Sequence, residues 1–291
     1  MVALIKSLSE ITDRYDVLYC DLWGCLHDGV RPFPAAVAAL QEFRNSGGYV
    51  MILTNSPRPS PAVHVQLDQI GVPRAAYDDV TSSGDASQAA MVAGLAGRDI
   101  YHLGPQRDLV FFTDIAPGLD VGNVSLVPLA NAEGIVCTGL IDDQTETPES
   151  YRATLLYAKQ KGMKLLCTNP DLVVDRGNER VYCAGAIAAL YTEMGGESLY
   201  FGKPHPPIYD LARNRVVAVR AVTEERILCI GDGIRTDILG GLGDSLDTLF
   251  ITGGLAAENF GDDPEKPDTN ALNDFYLQEQ VTPTMAIPFL Q

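Results

Sequence analysis

The chain has 291 residues, 46% of them hydrophobic and 20% charged, and a formal net charge of −17. That length can bury a substantial core and suits one large domain or two small ones. The acidic balance argues against nucleic acid, whose binders present a basic face or stripe that this sequence lacks.

Residues 15–20 read as a first strand that ends at Asp21. Residues 34–45 carry apolar side chains at helical spacing (Ala35, Val37, Ala38, Leu40, Phe43) and stop at Ser46-Gly47-Gly48, which suits a C-cap. A strand over 49–53 delivers Thr54, and a helix over 61–70 closes at Gly71, so the chain starts as a β-α-β-α unit with right-handed crossovers expected. Near Ser83 the pattern restarts with a helix over 86–95 and strands over 100–103 and 134–138. A helix over 148–162 then leads into a strand over 163–167. Later come a helix over 208–219, a strand over 227–230, a short helix over 237–241 and a strand over 249–251, and the remainder reads as a loose tail. Residues 100–131 carry no motif, and no solenoid-type repeat is present.

No apolar run approaches the roughly 20 residues of a membrane span. The opening Met-Val-Ala-Leu-Ile-Lys lacks the charged-then-apolar layout of a secretory signal, so a cytoplasmic location without a membrane partner is expected. Six scattered cysteines without a Cys-x-x-Cys pair fit buried free thiols in a reducing compartment. His64, His102 and His205 show no metal-ligand spacing.

Four short segments end apolar runs: Asp21-Leu22-Trp23-Gly24-Cys25-Leu26, Thr54-Asn55-Ser56, Gly202-Lys203-Pro204, and Gly231-Asp232-Gly233-Ile234-Arg235-Thr236-Asp237. A parallel sheet would carry them to one edge, the carboxyl edge where open α/β sheets bind ligands. Asp21 at a strand end is costly unless it meets a cation or hydrogen-bond donors. Asp232 and Asp237 suit either Mg²⁺, which favours hard oxygen ligands, or the capping of a helix start. Thr54 and the backbone after it can face an oxyanion, and Lys203 between Gly and Pro can neutralise one. In so acidic a chain a phosphate site needs that local positive charge, from a metal, Lys203 or an Arg. Arg58 is a candidate extra anion ligand, with a solvated loop residue as the ordinary reading.

In order and spacing these segments resemble the signature of the haloacid dehalogenase (HAD) superfamily. The resemblance implies that Asp21 attacks phosphorus, and that Thr54, Asn55 and Lys203 hold the phosphoryl group. It also implies Mg²⁺ held by Asp21, Asp232, Asp237 and the backbone carbonyl of Trp23. The domain-sized insertion between the second and third segments resembles the cap of the class II branch. Within it, Cys167-Thr168-Asn169-Pro170-Asp171 and Ala184-Gly185-Ala186 resemble the class IIA, NagD-like phosphatases, which makes Asn169 and Asp171 candidate substrate contacts. The implied fold is a doubly wound, parallel-sheet, Rossmann-like α/β core (residues 1–82 and 197–291) with an inserted α/β cap of C2 type (residues 83–196). The implied function is Mg²⁺-dependent hydrolysis of a small phosphorylated metabolite through an aspartyl-phosphate, and a homodimer is left open.

One position departs from the pattern. The family motif begins Asp-x-Asp-Gly, and its second Asp, the general acid and base, is Trp23 here. Indole donates a hydrogen bond but supplies no proton at neutral pH. His27 and Asp28, just beyond Trp23, are candidate substitute acids, with an ordinary turn as the bland reading. Without a substitute, the chain binds a phosphorylated ligand with weak or no turnover, or transfers phosphate to an acceptor other than water.

Overall fold

The computed structural model describes residues 2–116, 119–177 and 179–291. The N-terminal part forms strands β1 (Ala3–Leu4), β2 (Val17–Cys20), β3 (Tyr49–Thr54) and β4 (Asp79–Ser82). The middle forms β5 (Asp99–Leu103), β6 (Ser125–Leu126), β7 (Gly134–Cys137) and β8 (Lys164–Cys167), then β9 (Val173–Arg176) and β10 (Glu179–Tyr182), then β11 (Glu197–Tyr200). The last part adds β12 (Ile227–Gly231), β13 (Asp247–Ile251) and β14 (Met285–Ile287).

Among the described residues, seven strands build a first sheet in the order β1-β14-β13-β12-β2-β3-β4, and every neighbouring pair is parallel. Its central strands are buried on both faces, which is why they read as continuous apolar runs. Leu18, Cys20, Val50, Ile52, Leu228 and Ile230 pack to one side, while Val17, Tyr19, Met51, Leu53, Ile227 and Cys229 pack to the other. From β2 the chain winds outward through β3 and β4, then returns to β12 and winds the opposite way. The boundary between β2 and β12 is therefore the topological switch point, where the strand ends part to leave a crevice.

A second, five-stranded parallel sheet has the order β11-β8-β7-β5-β6. Helices Arg152–Gln160 and Ala184–Glu193 cover one face through Leu155, Ala158, Ile187 and Tyr191. The other face meets helix Ser83–Val92, whose Ala90 and Met91 pack here while Ala86 packs on the first layer. That helix ties the two layers together. Because β11 pairs with β8, the second sheet continues beyond residue 196 to Tyr200. The antiparallel β9–β10 hairpin projects from this layer toward the first: the Gly177 N–H donates to Asp28 O at 2.9 Å, and Arg180 reaches both Glu258 and Leu255 O at 3.2 Å.

The expectation of a loose tail after residue 251 does not hold. Helix Thr269–Glu279 starts at Asp268, whose carboxylate accepts from Asn270 and Ala271 N–H, and β14 inserts between β1 and β13. No helix among the described residues is long and apolar enough to cross a membrane.

Burying Met285, Ile287 and Leu290 contributes roughly 1.5–3 kcal/mol each, together comparable to the roughly 5–15 kcal/mol that holds a whole domain. Removing residues 281–291 should therefore abolish cooperative unfolding, as followed by circular dichroism during heating. A melting transition close to that of the full chain would show that the last strand is dispensable.

Candidate active site

The β2 strand ends at Asp21 because residues 22–27 turn back on themselves, with Leu22 O accepting from the N–H groups of Cys25, Leu26 and His27. Gly24 adopts φ +71°, and a Cβ there would lie 1.9 Å from Asp232 Oδ2. Only glycine lets this turn approach the end of β12 so closely. On the far side, Gly254 leaves the same room, and the Leu255 N–H donates to Asp232 Oδ2 at 2.8 Å. The loop over 253–255 is held in turn by the last strand, through Thr252 N–H to Ile287 O and Gly253 N–H to Pro288 O.

Lys203 lies beneath these groups, 2% exposed, with Nζ 2.7 Å from Asp21 Oδ1, 2.6 Å from Asp237 Oδ1 and 2.7 Å from Leu53 O. Asn55 fixes its backbone: Oδ1 accepts from Lys203 N–H at 2.7 Å, and Nδ2 donates to Lys203 O at 3.1 Å and to Asp171 Oδ1 at 2.8 Å. Asp237 belongs to a π-helical turn, Ile234–Ile238, of the sort found where backbone must aim a functional side chain. Its other oxygen accepts from Gly233 N–H at 3.0 Å.

Burial works against the Lys203 charge, but Asp21, Asp237 and Asp171 outweigh it and push the ammonium's pKa up. The carboxyls feel the same burial in reverse. Asp171 and Asp237 are each pushed up to about 6 by burial, against the pull of Lys203. Asp21 and Asp232 are also raised, by burial and by neighbouring carboxylates. One ammonium thus faces four crowded carboxyls, an arrangement that favours an added cation.

Ligand atoms of Asp21, Cys25 and Asp232 lie within 4.8 Å of one another. The two carboxylates are hard oxygen donors of the kind Mg²⁺ takes, so these residues fit that ion. Asp237 stands outside this cluster, its Oδ1 accepting from Lys203 Nζ and its Oδ2 from Gly233 N–H.

Above the site a cavity of about 560 Å³ lies between the two layers. Asp21, Thr54, Asp232 and Asp237 line its floor; Asn169, Asp171, the β9–β10 hairpin and Leu140 come from the second layer. The Thr54 hydroxyl accepts from Ser56 N–H at 3.2 Å. Asn169 Oδ1 accepts from Asp171 N–H at 3.0 Å, an Asx turn that shapes this part of the wall. Asn55 was expected against the ligand; its amide is instead spent on Lys203 and Asp171 and does not line the cavity.

Trp23 lines the cavity, its ring edge-on to His27 at 5.2 Å. His27 is fully buried, its Nδ1 accepts from Gly29 N–H at 3.0 Å, and among the described residues its Nε2 has no partner. Burial drops its pKa to about 4. A neutral imidazole sealed from the cavity does not act as the substitute acid, which corrects that expectation. Asp28 does reach the cavity, but its Oδ1 accepts from Val30 and Arg31 N–H. Burial raises its pKa, but those bonds and Arg31 hold it below the usual carboxylate value, so it too is a poor proton donor.

Sequence reading missed the charged wall of the second layer. Asp143 Oδ2 takes Arg107 and Arg176, each at 2.7 Å, and Arg58 pairs with Asp108 at 2.9 Å, all lining the cavity. Residues 107 and 143 lie in segments without a motif, and nothing local signals that they meet. Arg58, expected as a solvated loop residue or an anion ligand, is neither free nor fully solvated.

The sequence profile described as "Haloacid dehalogenase-like hydrolase" matches residues 18–115, and the one described as "HAD-hydrolase-like" matches residues 200–276. A solved hydrolase of the haloacid dehalogenase-like family from Brucella suis is 40% identical, with 99% of this chain and 100% of that one covered at a TM-score of 0.86. The 5'-nucleotidase YutF of Bacillus subtilis is 25% identical over 87% of this chain and 93% of its own length. The ribonucleotide monophosphatase NagD of Escherichia coli is 26% identical over 82% of this chain and 88% of its own.

Asp171 titrates near 6 in the folded chain against an ordinary value of 3.8, so the stability its proton contributes is full below the lower value and lost as pH rises through the higher. Asp171→Asn, which keeps the shape and cannot ionise, should match the parent near pH 4 and exceed it near pH 8 by on the order of 2 kcal/mol in urea unfolding of metal-free protein. A gain independent of pH would assign the effect to packing instead.

Proposed function

The chain belongs to the haloacid dehalogenase-like hydrolases, as a phosphoric monoester hydrolase of their NagD-like class IIA branch, and we propose that it is a Mg²⁺-dependent phosphatase acting on a small phosphorylated metabolite. The observation that carries this reading is the Lys203 ammonium held between Asp21 and Asp237 under a cavity whose floor includes Thr54 and Asp232.

Asp21 attacks phosphorus in line with the departing ester oxygen, the P–O bond to the organic group breaks, and an aspartyl-phosphate forms. Water then attacks that phosphorus and frees Asp21 with inorganic phosphate. This divides one hard displacement into two easier ones. Lys203 neutralises Asp21 and the transferring phosphoryl group, while Thr54 and the backbone that follows it bind phosphoryl oxygens. Asp237 and Asn55 position Lys203. Mg²⁺, held by Asp21, Asp232 and the Trp23 carbonyl, would supply further neutralisation of the phosphoryl charge. The inserted layer, expected over residues 83–196, acts as a cap: it shields the site from bulk water, and Asn169 and Asp171 face the organic part of the substrate.

The rival reading, a module that binds a phosphorylated ligand without turnover, is not favoured: relatives matched over most of the chain are named as phosphatases acting on nucleotides. Turnover of an activated aryl phosphate tests the choice. Asp21→Asn should reduce kcat by at least ~10³-fold with the fold intact, and Asp232→Ala should raise the Mg²⁺ concentration for half-maximal rate. Near-parental turnover by the first variant would remove Asp21 as nucleophile, and an unmoved Mg²⁺ titration in the second would remove Asp232 as ligand.

Trp23 yields a separate prediction. With no acid to protonate the departing oxygen, rates should fall steeply as the leaving group becomes more basic. Trp23→Asp should raise activity on alkyl phosphates, by up to ~10²-fold, far more than on aryl phosphates, whose leaving groups need little help. Equal effects on both classes would show that proton supply is not what limits the parent.

A further inference from the structure

Cys25 follows the glycine of the first motif, and the turn that Gly24 permits brings its thiol to the carboxylates. One ligand atom from each of Asp21, Cys25 and Asp232 lies within 4.8 Å of the other two, the one such cluster among the described residues. The Cys25 side chain is 1% exposed. Among the described residues its Sγ has no hydrogen-bond partner, whereas the Sγ of nearby Cys20 donates to Asp21 O at 3.2 Å. Asp21 and Asp232 line the cavity, so an ion entering there reaches the cluster from its open side.

Mg²⁺ has no use for sulfur: it takes oxygen ligands, whereas thiolate selects Zn²⁺ and softer ions. We propose that Asp21, Cys25 and Asp232 form a site for a thiophilic divalent cation, Zn²⁺ or its spectroscopic stand-in Cd²⁺, in which Cys25 Sγ is the third ligand beside the two carboxylates. A Zn–S bond of ≈ 2.3 Å and Zn–O bonds of ≈ 2.0–2.2 Å set tetrahedral ligand atoms about 3.5 Å apart, so separations within 4.8 Å close by no more than about 1.3 Å when the ion binds. Binding replaces the thiol proton with a metal–sulfur bond and releases that proton to solvent; nothing is oxidised. The inference rests on the phosphatase reading only in sharing its two carboxylates, and it makes the soft ion a competitor of Mg²⁺ for them.

Cd²⁺ titration of the full, metal-free chain tests this through the ultraviolet thiolate-to-cadmium charge-transfer band, which reports sulfur ligation without any turnover. The expected result is a band that saturates at a single equivalent and is suppressed by excess Mg²⁺. In Cys25→Ser and in Cys25→Thr the band is lost, and Cd²⁺ affinity falls by at least about tenfold. Two variants with cooperative thermal unfolding guard against reading a folding defect as a lost ligand. A parent that shows no such band, or variants that keep it, overturn the proposal. A Mg²⁺-competed band at Cys25 in a chain that shows no turnover with Mg²⁺ would overturn the phosphatase reading and leave this site standing. Mg²⁺-dependent turnover with no Cys25 band would overturn this proposal alone.

Discussion

Four separate stretches of the chain meet because the ammonium group of one of them lies between two carboxylates and a backbone carbonyl of the others. Lys203 Nζ bonds Asp21 from the end of β2, Asp237 from the turn after β12, and the last carbonyl but one of β3. Taking such charges out of water is costly, and leaving one of them without its partner costs roughly 3–5 kcal/mol. The backbone of Lys203 therefore needs to be fixed as firmly as its side chain. Asn55 does this, accepting from its N–H and donating to its carbonyl, and with the same amide reaches Asp171 of the second layer. The spacing of the motifs in sequence follows from this meeting: each must arrive at the same sheet edge, whatever length of chain lies between.

The sheet order makes that edge a crevice. β2 and β12 lie side by side and the chain leaves them in opposite directions, so the loops after Asp21 and Asp232 diverge and open a gap above the strands. The last strand then matters to the site although it lies two strands away. β14 pairs with β13, the carbonyls of its Ile287 and of the following Pro288 hold Thr252 and Gly253, and Leu255 reaches Asp232 from the loop so fixed. The same loop receives Arg180 of the β9–β10 hairpin at Leu255 O. Cap, C-terminal strand and Asp232 are thus joined through three residues of backbone.

What was legible in the sequence follows from which signals are local. Central strands such as β2, β3 and β12 are buried on both faces and read as apolar runs; helix Ser60–Ile70 ends at Gly71 with φ +92°, as its glycine signals. Strand β14 is three residues among Thr and Pro, and its identity as a strand comes from partners more than thirty residues or nearly the whole chain away. Each strand of the β9–β10 hairpin joins two apolar or aromatic residues to two charged ones and is largely solvent-accessible, so no apolar run marks it. At the site, the motif residues Asp21, Thr54, Lys203 and Asp232 were visible because their residue types suit the chemistry. The tasks of Asn55, Asp237 and His27 were not, because each depends on what stands opposite. An amide facing Lys203 backbone is a clamp, and an imidazole without a path to the cavity is packing.

Trp23 shows how far a departure from a family pattern can be built into its surroundings. A Cβ on Gly29 would lie 2.3 Å from the indole Cζ3, so the glycine and the ring are a matched pair, and the buried His27 meets the ring edge-on. Gly29 itself adopts φ +84°, and its N–H donates to His27 Nδ1, so the turn is shaped around the same three residues. The indole is therefore a fixed wall of the cavity. On the proposed reading, the nucleophile and the groups that hold the phosphoryl are kept while the proton donor is replaced by an apolar surface. That division of labour moves the burden of leaving-group departure onto the substrate. An ester whose oxygen departs as a weak base meets no deficit here, because a proton contributes little to a bond that breaks readily without it. An ester of an ordinary alcohol meets the full deficit. Selectivity then arises at the breaking bond itself, before the cap makes any contact with the rest of the molecule.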